Sequence, residues 1–233
     1  MPVIDLTGRT ILVTGGSRGI GAVTVDVLQR AGATVLSHSR SGDLAFDLAE
    51  PGAGGRLWDA AVERAGRVDV LVANAGMAIT ADLDDPGWDR AWRDTLQVNL
   101  IAVADLCRGA IGHFRRHGGG TVITLSSRSG QRGDSVDSMH YAASKAGVIA
   151  LTKSIARGYA RDGIRAYAIA PGWVATEMAD ALMTDPGAIA RELPMGAIAP
   201  PEDVANTIAF LASGLAPHLT GATLDINGAS YTR

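Results

Sequence analysis

Cysteine, lysine and aromatic residues are scarce in this chain of 233 residues. The single cysteine, Cys107, excludes an internal disulfide. With no motif around it, it reads as a small apolar residue on a helix rather than a reactive thiol. Phe, Trp and Tyr supply only 5% of the residues, so a core must be built from Ala, Val, Leu and Ile. Such a core suits helices packed closely on a parallel sheet. No charge of one sign dominates: 21 basic and 24 acidic side chains are interspersed and leave a net charge of -3, which gives no electrostatic footprint for nucleic acid. No apolar run approaches the ~20 residues of a membrane span, and no apolar N-terminal segment follows positive charge. A cytoplasmic protein with no membrane partner is therefore expected. Glycine is plentiful by contrast, 29 residues against an average share of about 7%, and many of them close apolar runs.

Short β-branched or apolar runs alternate with longer helical patterns. Strands are predicted at Thr10–Thr14, Thr34–His38, Val68–Ala73, Thr121–Ser126, Arg165–Ala170 and Ala222–Ile226. Helices are predicted at Ile20–Ala31, Leu57–Ala65, Trp88–His117, Met139–Arg161 and Pro201–Ala212. This alternation argues for βαβ units in one α/β domain with a doubly wound parallel sheet. Asp85-Pro86 and Pro200-Pro201-Glu202-Asp203 read as helix starts, and the acids Asp82, Asp84 and Asp89 as complements to a helix N-terminus rather than metal ligands. One stretch breaks the pattern. Asp47-Leu48 follows Arg40 within seven residues, too few for a crossover of about a dozen. The third, edge strand is therefore expected to be missing or a stub around Leu44–Phe46.

Two signatures carry chemistry. Thr14-Gly15-Gly16-Ser17-Arg18-Gly19-Ile20-Gly21 follows the apolar run Thr10-Ile11-Leu12-Val13 and precedes an amphipathic helix. Residues without a Cβ let a pyrophosphate approach the main chain, and the helix N-terminus favours its charge. Tyr141-Ala142-Ala143-Ser144-Lys145 puts a phenol and an ammonium on one helix face. With four tyrosines and two lysines in 233 residues, chance yields that spacing about 3% of the time. Reducing a carbonyl requires a proton donor, and a neighbouring cation draws a phenol down from its ordinary value of about 10.

With these signatures stand Asn74-Ala75-Gly76, Val98-Asn99-Leu100, Ser126-Ser127 and Pro171-Gly172-Trp173-Val174-Ala175-Thr176. In this order, over nearly the whole length, they make the chain resemble the compact, single-domain short-chain dehydrogenases/reductases, 3-oxoacyl reductases among them, with a Rossmann-like sheet. The resemblance implies Tyr141 as proton donor or acceptor. Lys145 would hold the nicotinamide ribose and lower the phenol's pKa. Ser127 would bond the substrate carbonyl, with Ser126 as its competitor, and Asn99 would keep a relay water in a distorted helical turn. Gly15, Ser17, Arg18, Gly19, Ile20 and Gly21 would cradle the phosphates. Asn74, Ala75 and Gly76 would line the adenosine side and brace the sheet, and Asp47 with Leu48 would border the adenine. Pro171, Gly172, Val174 and Thr176 would meet the nicotinamide end. Ser39 and Arg40 end the second strand, where a carboxylate would select a ribose 2′-OH. With Arg18 they present two guanidiniums and no acid, which suits a 2′-phosphate, so NADP(H) is preferred and NAD(H) is the alternative.

His113 and His117 have metal-binding spacing but lie at a basic helix end beside Arg115 and Arg116 and read as solvated. His140 is read as pointing away from the chemistry. Residues 177–199, with Met178, Leu182, Met183, Ile189, Leu193 and Met195, match the family's lid and imply an apolar cover, or simply pack on the domain. Arg128 and Arg132 meet either an anionic substrate or solvent. Tyr167 and Ala197 depart from the family pattern without removing a reacting group. The resulting expectation is an NADP(H)-dependent oxidoreductase interconverting a ketone and a secondary alcohol. Its refinement is a 3-oxoacyl thioester reductase, although Asp162 stands where carrier-dependent relatives often place positive charge. The alternatives are a sugar, polyol or cyclic alcohol dehydrogenase using NAD(H), or an NADP(H) sensor without turnover. Homo-oligomers, tetramer or dimer, are expected through helices Trp88–His117 and Met139–Arg161.

Overall fold

A computed structural model describes residues 4–182 and 185–233. The chain begins with β1 (Thr10–Thr14), α1 (Gly19–Arg30), β2 (Thr34–Ser39), β3 (Leu44–Ala45), α2 (Ala53–Ala65) and β4 (Val70–Ala73). It continues with α3 (Trp88–Leu96), a π-turn at Gln97–Ile101, α4 (Ala102–Arg116), β5 (Gly120–Leu125), α5 (Ser129–Arg132) and α6 (Met139–Tyr159). After these come β6 (Ile164–Pro171), α7 (Glu177–Leu182), α8 (Pro186–Glu192), α9 (Pro201–Ser213) and β7 (Thr223–Ile226). The strands form one seven-stranded parallel sheet in the order β3-β2-β1-β4-β5-β6-β7. After β1 the chain builds outward to β2 and β3, then returns through α2 to place β4 on the other side of β1. That reversal opens a crevice at the carboxyl ends of β1 and β4, where doubly wound sheets bind ligands.

Alternation along β1 assigns the two faces. Ile11 and Val13 join Leu28, Val70, Val72, Ile169, Val204 and Ile208 under α1 and α9. Leu12 points the other way, to Leu57, Leu71, Leu106, Phe114 and Ile155 of the α2–α4–α6 layer. Small residues set the spacing of that second layer: a Cβ at Gly109 would lie 2.6 Å from the Trp58 ring, so only glycine lets α4 approach α2 this closely. No helix among the described residues is long and apolar enough to cross a membrane.

The edge strand is the expected stub, pairing only His38 with Leu44 and Ser39 with Ala45. Other boundaries differ from the sequence reading. The predicted helix Trp88–His117 is two helices joined by the π-turn. α2 starts at Ala53 rather than Leu57, because its first turn carries no large apolar side chain to mark a periodicity. β4 starts at Val70 rather than Val68, where Asp69 directs a carboxylate oxygen to the Thr10 N–H at 2.9 Å. Met183, one of the expected lid residues, lies outside the described residues.

Candidate active site

The glycine turn is built from both sides of the crevice. Gly15 and Gly19 have φ of +68° and +52°, values that side-chain-bearing residues rarely adopt. A Cβ at Gly21 would stand 2.0 Å from the Gly15 carbonyl oxygen, so the first turn of α1 folds back directly onto the loop. Asn74 clamps it from β4: Nδ2 donates to the carbonyls of Thr14 (2.8 Å) and Gly15 (3.2 Å). The backbone N–H groups of Asn74 and Ala75 donate to the Thr14 hydroxyl at 3.0 and 2.9 Å. No side chain caps α1 and no acid lies in its first turn, so the positive end of the helix suits an anionic group. Thr176 borders the same turn, its methyl 3.3 Å from where a Gly19 Cβ would be.

At the end of β2, Ser39 is half-buried and Arg40 exposed, with no carboxylate at either position. Arg18 extends into solvent 4.0 Å from Glu177. The Asp47 carboxylate accepts from the Ala49 N–H at 2.9 Å, while the Leu48 side chain is buried in the core with Leu12 and Leu36. Leu48 therefore offers a ligand its backbone only. Val174 is likewise buried and bridges to Ala199. Gly172 is required where β6 ends, because a Cβ there would lie 2.9 Å from that of Asn227.

Ser127, Tyr141 and Lys145 come together across the crevice. The Ser127 oxygen accepts from the Ser129 N–H at 3.1 Å, and the hydroxyl stands close enough to the Tyr141 phenol to favour its charged form. Ser126 is excluded from that position: its hydroxyl donates to the Lys145 backbone carbonyl at 2.8 Å. Lys145 is buried, donates from Nζ to the Leu125 carbonyl at 2.9 Å, and stands 5.7 Å from the centre of the Tyr141 ring. Burial draws its pKa down from 10.5 to about 8. The expected lowering of the phenol is corrected here. Burial pushes Tyr141 above 10.0, the Ser127 hydroxyl opposes this, and the Asp134 charge adds to the rise. The Lys145 ammonium, bonded to the Leu125 carbonyl, does not reverse that desolvation.

Asn99 is fully buried in the π-turn, a feature common at functional sites. Its Oδ1 accepts from the Met77 N–H and its Nδ2 donates to the Met77 carbonyl, both at 2.9 Å, and Nδ2 also reaches the Ser144 hydroxyl at 3.2 Å. The segment after β4 is thereby tied to α6. Gly76 completes the junction, since a Cβ there would press on Lys145 Nζ (3.3 Å) and Asn99 Oδ1 (3.4 Å).

Several singled-out residues lie elsewhere. His113 and His117 stack at 4.0 Å, but His113 is buried and accepts from the Val68 N–H at 3.3 Å, so it is a core group rather than a solvated one. No group of three or more metal-ligating side chains occurs among the described residues. His140 bonds the Ile79 carbonyl at 3.0 Å, away from the phenol. Tyr167 fills the core. Met178 and Met195 are exposed at the lid, and Leu193 is buried. One participant escaped the sequence reading. His38 is buried; its Nδ1 accepts from the Gly15 N–H at 3.3 Å and its Nε2 bonds the Phe46 carbonyl at 3.0 Å. Desolvation lowers its pKa and keeps it neutral, the form this pair of bonds requires. The only signal for it was a polar residue on an inward position of β2.

A family model described as enoyl-(acyl carrier protein) reductase matches residues 15–229. The chain is 40% identical to the acetoacetyl-CoA reductase of Synechocystis sp., over 98% of this chain and 99% of that one. It is 34% identical to the 3-oxoacyl-(acyl-carrier-protein) reductase of Escherichia coli, over the same shares. The solved complex of Pseudomonas aeruginosa RhlG with NADP superposes with a TM-score of 0.90 at 29% identity, covering 99% of each chain. The glycine turn on a doubly wound sheet, the Tyr141–Lys145 pair and these full-length likenesses agree: the chain belongs to the short-chain dehydrogenase/reductase family of oxidoreductases.

Proposed function

We propose that this protein interconverts a ketone and a secondary alcohol with NADP(H), and that Tyr141 exchanges the proton. The observation that carries the reading is the approach of Lys145 to Tyr141, with Ser127 nearby, on a crevice whose other side is the uncapped N-terminus of α1. Bound NADP(H) supplies or removes the hydride. Its phosphates fit the turn from Gly15 to Gly21 with Ser17, Ile20 and Thr176, and its 2′-phosphate fits Ser39, Arg40 and Arg18, where no acid opposes it. Asn74, Ala75 and Asp47 border the adenosine side, and Pro171, Gly172 and Val174 the nicotinamide end. The NADP complex of the Pseudomonas relative supports this cofactor.

Within the pocket, Ser127 donates to the carbonyl oxygen and fixes its position. Tyr141 then gives its proton to the oxygen as negative charge develops there. An alkoxide is a base comparable to hydroxide, whose conjugate acid has a pKa of about 15.7. A phenol raised above 10.0 therefore remains a competent donor, and stays protonated at neutral pH. Lys145, desolvated and with no carboxylate partner among the described residues, holds its charge below about pH 8 and keeps two of its three N–H donors for ribose hydroxyls. Asn99 keeps the segment carrying Gly76 and Met77 fixed over this ammonium. The names of the Synechocystis and E. coli relatives make 3-oxo compounds the first carbonyls to try.

The test is Tyr141→Phe. NADPH binding, followed by fluorescence, should persist while ketone reduction falls by at least about 100-fold; near-normal turnover overturns the assignment. For assembly we propose pairing through α4 and α6, whose groove exposes Ile111, Leu151 and Gly158. Light scattering should report a dimer or tetramer, and a monomer at all concentrations contradicts it.

A further inference from the structure

Arg128 follows Ser127 directly, and the mechanism above gives it no role. Its backbone N–H donates to the Pro171 carbonyl at 2.9 Å, which ties it to the end of β6. The side chain is half-buried: Nη1 donates to the Ser230 hydroxyl at 2.6 Å, and the guanidinium carbon lies 5.9 Å from the centre of the Trp173 ring. Nine other arginines have a carboxylate oxygen within 4.0 Å, but Arg128 has none among the described residues. Burial pulls its pKa down, the nearby Arg132 charge acts in the same direction, and Asp134 opposes both. Asp134 is exposed and already accepts hydrogen bonds from Ser129 and Ser135.

A half-buried cation with no carboxylate within 4.0 Å among the described residues is only partly compensated by one hydroxyl, an aromatic face and the more distant Asp134 charge. Arg has five donors, so most of this guanidinium remains available to a planar anion. The cofactor phosphates do not supply one. Apart from Thr176, which packs on Gly19, their proposed partners leave β1 and β2, which stand two and three strands from β5, about 10 and 14 Å at 4.7–4.9 Å per strand. The Arg128 head leans the opposite way, toward Trp173 after β6 and Ser230 after β7. What reaches both Ser127 and its sequence neighbour is the substrate.

We propose that Arg128 is the anion anchor of the substrate pocket. The preferred substrate is then a short oxo acid or hydroxy acid, its carboxylate on the guanidinium and its carbonyl or hydroxyl at Ser127 and Tyr141. Trp173 covers the few carbons between the two groups. This assignment rests on the reading of Ser127 and Tyr141 given above, and it deepens that reading by naming a substrate class.

The experiment measures NADPH oxidation with acetoacetate and 4-oxopentanoate, each against its methyl ester, in the wild type, Arg128→Lys and Arg128→Leu. The wild type should favour the better acid over its ester by at least tenfold in kcat/KM. Arg128→Leu should erase that ratio chiefly through the KM of the acid, and Arg128→Lys should retain part of it. NADPH affinity, read by fluorescence, verifies folding of each variant. A residue that merely tethers Ser230 would change acid and ester alike and leave the ratio intact. Equal or better use of the esters by the wild type, or a ratio that survives Arg128→Leu, overturns the anchor while leaving the ketone reductase reading standing. Absence of turnover with acids, esters and a broad panel of neutral ketones overturns both.

Discussion

Lys145→Met offers a measurement in which burial, charge and function separate. Lys145 is 4% exposed, and its ammonium donates to the Leu125 carbonyl. Burial lowers its pKa from 10.5 to about 8. At 1.36 kcal/mol per pKa unit, holding the charge inside costs the folded state about 3 kcal/mol wherever both states are protonated. The sign follows from a base whose folded pKa is depressed: the unfolded chain binds the proton more tightly. The cost is therefore complete below about pH 8, fades as pH rises toward 10.5, and is absent above it. Methionine removes the charge but strands the Leu125 carbonyl, at about 1–3 kcal/mol. The variant should thus match the wild type at pH 7 or exceed it by up to about 2 kcal/mol, and should lose about 2–3 kcal/mol relative to it between pH 7 and pH 10. Urea unfolding of both proteins at the two pH values reads this difference, and groups common to both cancel. The same variant should lose NADPH-dependent reduction. An identical stability difference at pH 7 and pH 10 would refute the claim that the fold buries a strained charge for the sake of the site.

Three further outcomes follow from the same geometry. Replacing Ser39 by Asp together with Arg40→Ser should lower the preference for NADPH over NADH, measured as a ratio of kcat/KM, by at least about tenfold; an unchanged ratio rejects the 2′-phosphate assignment. Gly21→Ala drives a Cβ to 2.0 Å from the Gly15 carbonyl and 2.6 Å from Asn74 Nδ2, so it should destabilise the fold by about 1–3 kcal/mol and weaken NADPH binding. Thermal melts and fluorescence titration check the two effects. Ketone reduction should hold level from neutral pH to about 8 and decline above it as Lys145 discharges; a rate still climbing well above that point contradicts the ammonium's role.

Local pattern sufficed for much of this molecule, because apolar alternation and glycine turns are enforced residue by residue. The parallel sheet, the glycine turn ahead of α1, the Tyr141–Lys145 spacing and even the stub at Leu44–Ala45 are readable in the chain, the last because four residues cannot form a crossover. What depends on residues distant in sequence was not readable. Ser126 and Ser127 are chemically alike, and only the packing of β5 against α6 commits one to the Lys145 carbonyl and leaves the other near the phenol. His38 looks like any polar strand residue until β1, β2 and the Phe46 turn enclose it. The direction of the Tyr141 shift was misjudged for the same reason. Helical spacing brings an ammonium near the ring, but the desolvation of the phenol, a product of the tertiary fold, prevails over it while the ammonium is held by the Leu125 carbonyl. Sequence determined which groups this protein possesses and their local spacing; only three-dimensional packing decided their partners, their solvation and hence their protonation.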